Sequence, residues 1–357
     1  KPPLPFTTST MQQEASKALN FSTQKTMRLA QQLYEGVDVK GHGTVGLITY
    51  LRTDSTRIAA EADAAARSYI GDQFGASYVS EAPAAAKSDA KIQDAHEAIR
   101  PTDITLTPVQ VKEQLSRDQF RLYQLIWKRF TASRMRPAVY ETTSVKVAAG
   151  EELFTLSASK IKFDGFMSVY IEADEKEEKN QILSKLEKGE ELELADLVNA
   201  QHFTQPPARY TEATLIKALE EKGIGRPSTY APTISTILNR EYVVKEGKYL
   251  RTTPLGEVVT GLMKDKFNDI VDYAFTAQME ERLDKVEERQ DNLDKLVSSV
   301  EVLATRQETV ETDVKEIKTD VKALTEKPAK RWDGIVDKLI WLAVSGAVGF
   351  LAAQIVR

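Results

Sequence analysis

The chain has 357 residues, of which 28% are charged and 41% hydrophobic, and its formal net charge is -5. This length allows two or three domains, and the composition excludes a mostly disordered chain. The absence of cysteine excludes disulfides and thiol catalysis and favours a reducing cytoplasm, while the acidic net charge confines any nucleic-acid site to a local basic groove.

The first predicted elements are two short helices followed by a strand. Ser9 and Gln12 have the spacing of a capping box, and Ser22 can cap a second helix that ends near Gly36. A glycine-rich loop follows, and residues 45–51 have the pattern of a strand. This order is typical of a helix-turn-helix unit with a small sheet attached.

The middle of the chain is predicted to be mostly β. Residues 139–148 and 153–172 alternate polar with apolar or β-branched side chains, and Gly150 and Gly165 interrupt the pattern. Such alternation is typical of antiparallel strands. The charged residues 174–188 are interpreted as a solvated loop and helix face rather than an acidic tail with a function of its own.

A second helix-turn-helix outline follows the β region. Residues 211–222 have a helical pattern, the turn at residues 223–227 ends it, and Ser228 is expected to cap the next helix. The two short strands 242–245 and 248–252 then form a tight hairpin. The sequence therefore predicts a winged-helix unit, and with the first outline an internal repetition of modules of the DNA-binding type.

Beyond the winged-helix outline the pattern changes to one long helix. Apolar residues recur at spacings of three and four, which predicts a coiled coil over residues 281–330, and Pro328 is expected to end it. Residues 339–356 are then almost entirely apolar, and their length predicts a transmembrane anchor within residues 331–357. A buried core helix is the alternative interpretation of the apolar run.

Tyr50 and Arg52 are the candidate chemical groups. They lie two residues apart on the predicted strand, so both side chains are expected on one face. A phenol is a poor nucleophile at neutral pH unless a cation favours its ionised form, and an arginine can do this while holding a phosphate with two hydrogen bonds. From the spacing alone, a structural tyrosine beside an arginine is the commoner explanation.

Several longer blocks resemble type IA DNA topoisomerases, bacterial topoisomerase I in particular. Residues 46–55, Gly-Leu-Ile-Thr-Tyr-Leu-Arg-Thr-Asp-Ser, are similar to the active-site tyrosine signature of that family. Further similar blocks lie on both sides of it, in the order that the family has them. They are residues 2–35, 96–102, 205–210, 223–230 and 275–279. Together they extend over residues 1–280.

The resemblance implies a multidomain α+β core with helix-rich, winged-helix-like modules around an antiparallel β arch. The expected parts are an active-site tyrosine domain at 1–136, a β-rich arch segment at 137–205 and a winged-helix-like DNA-binding domain at 206–280. The coiled coil at 281–330 and the anchor at 331–357 have no counterpart in the family and are similar to coiled-coil membrane proteins associated with phage haemolysins and holins.

The resemblance also implies roles for residues on both sides of the tyrosine. Tyr50 is expected to become joined to the 5′ phosphate of a cut strand, Arg52 to stabilise that phosphate, and His96 to support the site. Without the resemblance, a structural role for His96 is the commoner case. The implied activity is transient cleavage of single-stranded or negatively supercoiled DNA, strand passage and religation.

A second set of residues is expected to hold the phosphates of the bound strand. Arg226, Ser228 and Thr229 lie at a predicted helix N-terminus, where backbone N–H groups favour an anion, and they also fall within a family block. Arg240 lies further along. Simple helix capping is the alternative for these residues, and Ser228 can serve both roles.

Other features of the family have no match in the sequence. The family implies Mg²⁺, but its acidic ligands belong to a Toprim domain, and no such acidic cluster occurs here. Since the chain begins at Lys1 without a methionine, we expect a piece of a longer protein that works with a Toprim domain upstream or in trans. Its other expected partners are copies of itself, in a number the pattern leaves open, and a membrane.

Three functions remain open at this point. The first is the incomplete topoisomerase core, cytoplasmic and associated with DNA. The second is a non-catalytic single-stranded DNA-binding fragment tethered to a membrane. The third is a phage lysis accessory in which the tail is the working part. Cleavage through Tyr50, binding without cleavage, and membrane permeability distinguish the three.

Overall fold

The computed structural model describes residues 1–81, 96–171, 187–196 and 198–355. In the last helix, the side chains of residues 287, 288, 291, 324–332 and 350–355 are outside the description. The chain divides into two units, Lys1–Arg282 and Leu283–Arg357. The first unit contains the mixed elements and the second is the greater part of one helix.

Helices and antiparallel hairpins alternate along the described residues, which confirms the predicted α+β class. The α-helices are α1 (Thr8–Leu19), α2 (Thr23–Glu35), α3 (Ala60–Phe74), α4 (Pro108–Val111), α5 (Arg117–Ser133), α6 (Glu212–Glu221), α7 (Tyr230–Asn239), α8 (Pro254–Lys266) and α9 (Tyr273–Ile355). The strands are β1 (Val37–Val39), β2 (Gly43–Val45), β3 (Val139–Ala149), β4 (Glu152–Phe163), β5 (Val243–Glu246) and β6 (Tyr249–Thr252). Each strand pairs with its neighbour in sequence, β1 with β2, β3 with β4 and β5 with β6.

The main hydrophobic core lies among α1, α2, α3 and α5. Burying one large apolar side chain stabilises a fold by about 1.5–3 kcal/mol, so this core outweighs the smaller cluster between α6 and α7. Its fully buried side chains include Phe6, Met11, Leu33, Leu47, Ile70, Ile99, Tyr123 and Phe130. The smaller cluster contains Ile216, Tyr230 and Ile234. Because α1 packs against α6 and α2 packs against α7, the two clusters lie in one unit.

The first two helices are where the sequence predicts them, but the first begins differently. The Thr7 hydroxyl accepts from the Thr10 N–H and forms the capping box, because α1 starts one residue before Ser9. The predicted box of Ser9 and Gln12 is therefore wrong, and both residues are buried inside the helix. The Ser22 cap of α2 is confirmed, since its hydroxyl accepts from the Lys25 N–H at 3.2 Å.

The strand predicted at residues 45–51 is wrong for most of its length. β1 and β2 form a short hairpin that ends at Val45. After it, the Leu47 N–H donates to the Leu33 carbonyl at 2.8 Å and the Thr49 N–H donates to the Arg100 carbonyl at 2.9 Å. These bonds go to two different partners rather than to one strand, so no ladder forms.

The β region is confirmed as one long antiparallel hairpin. β3 and β4 pair from Ala149↔Glu152 at the turn to Val139↔Phe163 at the base, with a bulge beside Tyr140. The second strand ends at Phe163, earlier than predicted, and a short 3-10 helix, Gly165–Ser168, follows. The predicted charged stretch 174–188 lies almost wholly outside the described residues.

The second helix-turn-helix outline is confirmed except for its cap. Thr211 caps α6 through a capping box with Thr214, and β5 and β6 form the predicted hairpin. α7 begins at Tyr230 after an N-cap at Thr229 that makes no side-chain capping bond. Ser228 therefore does not cap α7, because the preceding residues form a separate turn.

α9 confirms a long helix beyond residue 281 and corrects how it ends. It runs for 83 residues through Pro328, where one proline costs about 3 kcal/mol locally. No helix in the described part of the chain has a stretch long and apolar enough to cross a membrane. The anchor predicted at 331–357 is therefore not supported by the described residues. The pairing of helices in a coiled coil stays a prediction.

Candidate active site

Tyr50 lies in an irregular segment, residues 46–55, beside the start of α1. Thr8 is fully buried, and its hydroxyl donates to the Leu51 carbonyl at 2.7 Å. The same hydroxyl accepts from the Thr53 N–H at 2.9 Å. Since leaving such buried groups unpaired costs about 1–3 kcal/mol, Thr8 holds the backbone just after Tyr50 in one conformation.

The backbone just before Tyr50 is held by a second distant segment. The Thr49 hydroxyl donates to the Ala98 carbonyl at 2.7 Å and accepts from the Arg100 N–H at 3.0 Å. The Thr49 N–H also donates to the Arg100 carbonyl at 2.9 Å. Residues on both sides of Tyr50 are therefore fixed by partners more than 40 positions away in the sequence.

Two aromatic rings contact the ring of Tyr50. The Tyr34 ring meets it edge-on with centroids 5.6 Å apart, and the His96 imidazole stacks on it at 5.5 Å with an interplanar angle of 26°. Such aromatic pairs contribute about 0.5–1.5 kcal/mol beyond burial. Tyr50 is still 38% exposed, so its ring is oriented by neighbours while part of it faces solvent. The structure thus brings His96 and Tyr50 together.

Arg52 is exposed, two residues beyond Tyr50, and forms no ion pair with any residue that the structure describes. Because the segment is irregular, the same-face argument drawn from a predicted strand does not hold. A guanidinium has five N–H donors and no acceptor. Arg52 can therefore turn these donors to an anion that approaches the Tyr50 segment from solvent.

The three residues expected to hold phosphates at a helix start lie in one turn. The Thr229 hydroxyl accepts from the Arg226 N–H at 2.8 Å and closes the turn, on which Ser228 is exposed. The Arg226 guanidinium donates to the Gly225 carbonyl at 2.8 Å and lies 3.9 Å from the Glu280 carboxylate. Its charge is therefore partly neutralised within the protein.

Arg240 is not part of this turn. It is the C-cap residue of α7, at the opposite end of the helix. A ten-residue helix is about 15 Å long, so Arg240 belongs to a different part of the surface from Arg226. A cation at a helix C-terminus is stabilised by the helix dipole, which gives Arg240 a structural explanation as well.

Electrostatics connect the α7 turn with the Tyr50 segment. Burial is the main cause that raises the pKa of Tyr230 to about 12, the charge of Glu220 adds to it, Arg226 opposes it, and Asp54 adds a further increase. Because charge interactions weaken with distance, Asp54 lies near Tyr230. The Ser9 hydroxyl also donates to Glu220 at 2.5 Å, which joins α1 to α6. The turn and the tyrosine segment therefore share one region of the first unit.

A family model described as DNA topoisomerase matches residues 1–298, which is most of the 357-residue chain. The chain belongs to the DNA topoisomerase family. Among solved structures, the full-length topoisomerase I from Thermotoga maritima is similar, with 41% sequence identity and a TM-score of 0.66. The similarity covers 80% of this chain and 46% of that protein, so the chain spans about half the length of that topoisomerase.

The topoisomerase match confirms the type IA resemblance at the level of the family. It runs to residue 298, into α9 and past residue 281, where the predicted tail begins. The resemblance of that tail to phage membrane proteins has no support in the comparisons.

Magnesium, which the topoisomerase family implies, does not fit the residues described here. Among them, no group of three or more histidine, aspartate or glutamate side chains could hold a metal ion. Acidic groups near the tyrosine segment have other partners: Glu97 pairs with Arg100 at 2.7 Å, and Glu220 accepts from Ser9. Since Mg²⁺ is usually bound through carboxylates, we derive no step of the reaction through it.

A basic cleft, whose location the sequence did not indicate, lies between α1 and the β5–β6 hairpin. Glu212 is the one carboxylate among its described lining residues, and it pairs with Lys245 at 2.8 Å. α1 starts at Thr8, beside the Tyr50 segment, and reaches the cleft at Gln13, about 8 Å along the helix. The basic residues that line the cleft are Lys17, Arg209, Lys217, Lys245 and Lys248.

Glu212 itself is a residue that sequence reasoning missed. It is 4% exposed, accepts from the Thr23 N–H at 2.8 Å, and so connects α6 to α2 and, through Lys245, to β5. Burial alone would raise the pKa of Glu212, but hydrogen bonds from Lys245 and Thr23 outweigh it and hold the pKa below its ordinary value. A glutamate just after the N-cap Thr211 is ordinarily an exposed partner of the helix dipole, so nothing local indicates its burial.

Proposed function

We propose that this chain is the strand-cleaving core of a type IA DNA topoisomerase, with Tyr50 as its nucleophile. The observation that carries the proposal is that Tyr50 is exposed while its backbone and ring are both fixed, in a chain of this family. A nucleophile must be held near the reacting atom before the bond forms. The contacts of Thr8, Thr49 and His96 supply that constraint.

In the proposed reaction, the Tyr50 phenol oxygen attacks the phosphorus of a phosphodiester in single-stranded DNA. The new O–P bond forms as the bond from phosphorus to the 3′ oxygen breaks. The phenol loses its proton and the departing 3′ oxygen gains one, so a 5′-phosphotyrosine and a free 3′ hydroxyl result. Because the product is still a phosphodiester, the 3′ hydroxyl can reseal the strand after another strand has passed, which relaxes negative supercoils.

Two neighbours are proposed to assist Tyr50. Arg52 binds the non-bridging oxygens of the scissile phosphate and stabilises the charge that develops there, an effect that preorganised donors supply well. His96 keeps the phenol ring in the attacking orientation through the stacked contact, whose centroids lie 5.5 Å apart. Arg52 therefore acts on the phosphate, and His96 acts on the nucleophile.

The turn before α7 is proposed to hold a phosphate of the same strand. α7 has no side-chain cap, so the N–H groups of its first turn and the helix dipole favour an anion. Ser228 and Thr229 contribute hydroxyls, and Arg226 contributes its charge once Glu280 is displaced by the phosphate. Arg240, at the far end of α7, is proposed to contact a different phosphate.

The test is a covalent adduct. The chain is combined with a Toprim domain of this family and Mg²⁺, and incubated with a labelled single-stranded oligonucleotide. The label is on the fragment 3′ of the cleavage site, whose 5′ phosphate is expected to join Tyr50. The unchanged chain is expected to acquire the label, and Tyr50→Phe to acquire none. Tyr34→Phe keeps the edge-on ring and is the matched control, expected to retain the adduct. An adduct in Tyr50→Phe would overturn the assignment.

A second function, binding of single-stranded DNA without cleavage, is proposed for the chain without added domains. The excess of basic residues in the cleft favours it, since releasing counterions from phosphates drives such binding. Affinity is expected to fall steeply with salt. Changing Lys17, Lys217 and Lys248 together to glutamine is expected to reduce the slope of log affinity against log salt by about 2, because each contact with a single strand contributes about 0.7.

A matched variant separates the cleft from net charge. Lys146, Lys160 and Lys162 are exposed on the β3–β4 hairpin, away from the cleft lining. Changing these three to glutamine alters the net charge by the same amount and is expected to leave the salt slope nearly unchanged. Equal effects of the two triple variants would contradict binding in the cleft.

A further inference from the structure

The second unit presents one continuous apolar stripe along α9. The stripe follows the spacing of three and four residues that places side chains on one side of a supercoiled helix. Its described members are each more than half exposed: Leu283, Val286, Leu293, Val297, Val300, Leu303, Val310, Val314 and Ile317. A stripe of this length is larger than the isolated apolar groups normal on a protein surface, so it requires a covering partner.

Two glutamines complete the stripe. In heptads lettered a to g, Gln290 occupies position a of the heptads that run to Val300, with Leu293 at the next d. The three-residue step from Val300 to Leu303 shifts the heptad phase, and in the heptads after it Gln307 occupies position a, with Val310 at the next d. A polar residue at an a position specifies the register of a coiled coil, because its amide is satisfied only opposite a similar group. Two copies aligned without offset place each glutamine opposite itself.

The charges beside the stripe favour parallel alignment of identical helices. In a parallel pair, each g residue faces the e residue five positions later on the partner. This joins Arg289 to Asp294, Arg306 to Glu311 and Asp313 to Lys318, three pairs of opposite charge, while Leu296 faces Glu301 and adds no contact between like charges.

Antiparallel alignment would bring e residues together instead. Of the e residues whose side chains are described, Asp294, Glu301 and Glu311 are acidic and Lys318 is basic, so most e–e contacts would bring acidic groups together. Like charges held close at such an interface are destabilising. The charge pattern therefore distinguishes the two orientations, which the apolar stripe alone does not.

We propose that residues 283–318 of α9 form a parallel, in-register coiled coil with the same residues of another copy of this chain. The apolar stripe supplies the buried seam, Gln290 and Gln307 set the register, and the flanking charge pairs set the orientation. The interaction surface belongs to the second unit and Tyr50 to the first, and the proposal stands whether or not the chain cleaves DNA.

Mass and cross-linking of the full chain test the proposal. Sedimentation equilibrium at micromolar concentration is expected to give a multiple of the 39.9 kDa chain mass. Because the chain has no cysteine, Gln290→Cys introduces a unique thiol that is expected to form an interchain disulfide with itself under mild oxidation. A purely monomeric chain would overturn the proposal. An Ile317→Cys chain is mixed with the Gln290→Cys chain to detect antiparallel alignment, and disulfides that form only between these two variants would also overturn it.

Charge reversal tests the orientation separately. Arg306→Glu places like charges at each Arg306–Glu311 contact and is expected to weaken self-association about tenfold, whereas adding Glu311→Arg to the same chain restores it. Lys315→Glu, outside the seam and its flanking positions, is the matched control and is expected to leave association unchanged. If Arg306→Glu behaves like Lys315→Glu, the proposed pairing is wrong.

Discussion

Gly46 lets the chain pass close to the end of α2 just before Tyr50. An added Cβ at this position would lie 2.6 Å from the Tyr34 carbonyl oxygen, a backbone atom that cannot rotate away. Gly46→Ala is therefore expected to lower the free energy of unfolding by about 1–3 kcal/mol. It is also expected to reduce the DNA adduct, because the displaced segment carries Tyr50. Denaturant unfolding and the adduct assay measure the two effects.

Gly261 provides the control for that substitution. It lies in α8, and a Cβ there meets nothing within 4 Å. Gly261→Ala is expected to stabilise the chain by about 0.5–1 kcal/mol, since alanine loses less backbone entropy in a helix. A similar loss of stability in both variants would contradict the steric explanation for Gly46.

The residues that hold Tyr50 also mark the limit of sequence reasoning. The resemblance names Tyr50, Arg52 and His96, but residue types and spacing alone do not indicate that Thr8 and Thr49 fix the backbone around the tyrosine. Thr8 meets Leu51 across 43 positions of sequence. When a hydroxyl bonds to a residue distant in the sequence, the neighbouring residues contain no pattern that indicates the bond. Only the structure identifies such positioning residues.

At the scale of elements, Glu212 joins α6 to α2 and β5, and its lowered pKa makes this junction sensitive to pH. A carboxyl whose pKa is lower in the folded chain stabilises the fold above its ordinary pKa of 4.5 and loses that contribution as pH falls through the folded value. Glu212→Gln is expected to cost about 1–3 kcal/mol at pH 7. The difference in the free energy of unfolding between the unchanged chain and Glu212→Gln is expected to shrink below pH 4.5. Urea unfolding at pH 7 and at about pH 3.5 measures it.

Glu246→Gln is the matched control for this junction. Glu246 pairs with Arg251 at 2.9 Å, but both side chains are more than half exposed. Exposed ion pairs contribute about 0–1 kcal/mol, so this variant is expected to change stability little at either pH. If Glu246→Gln lowers the free energy of unfolding at pH 7 as much as Glu212→Gln does, the burial of Glu212 does not explain its effect.

Elements with local signals are the ones that the sequence predicts correctly. The Ser22 cap, the Gly150 turn and the β5–β6 hairpin each depend on neighbouring residues, and all three are confirmed. The strand predicted at residues 45–51 fails because its hydrogen bonds go to separate distant segments. The cap predicted at Ser228 fails because Thr229 closes a turn first.

At the scale of the whole molecule, the first turns of α9 belong with the first unit. The Gly225 N–H donates to the Glu280 carboxylate at 3.1 Å, and the Lys222 ammonium lies 4.6 Å from the Tyr273 ring centroid. Both contacts stabilise the loop that leads to Arg226, because they join it to α9. The described hydrophobic clusters, with these contacts, lie within residues 1–282.

Two truncations follow from this division. A chain that ends at residue 282 retains the α9 contacts and is expected to unfold at the same temperature as the full chain, and to be monomeric because the apolar stripe is gone. A chain that ends at residue 272 loses the contacts of Glu280 and Tyr273, which together contribute about 2 kcal/mol. The midpoint temperature of its thermal unfolding is expected to fall by about 4–8 °C.

Calorimetry and sedimentation measure both truncations. Equal losses of thermal stability would show that the first unit depends on residues beyond 282, and would contradict its independence. A chain ending at residue 282 that still self-associates would instead locate the association surface in the first unit. The two readouts are separate because the loop at Arg226 and the seam of α9 depend on different contacts.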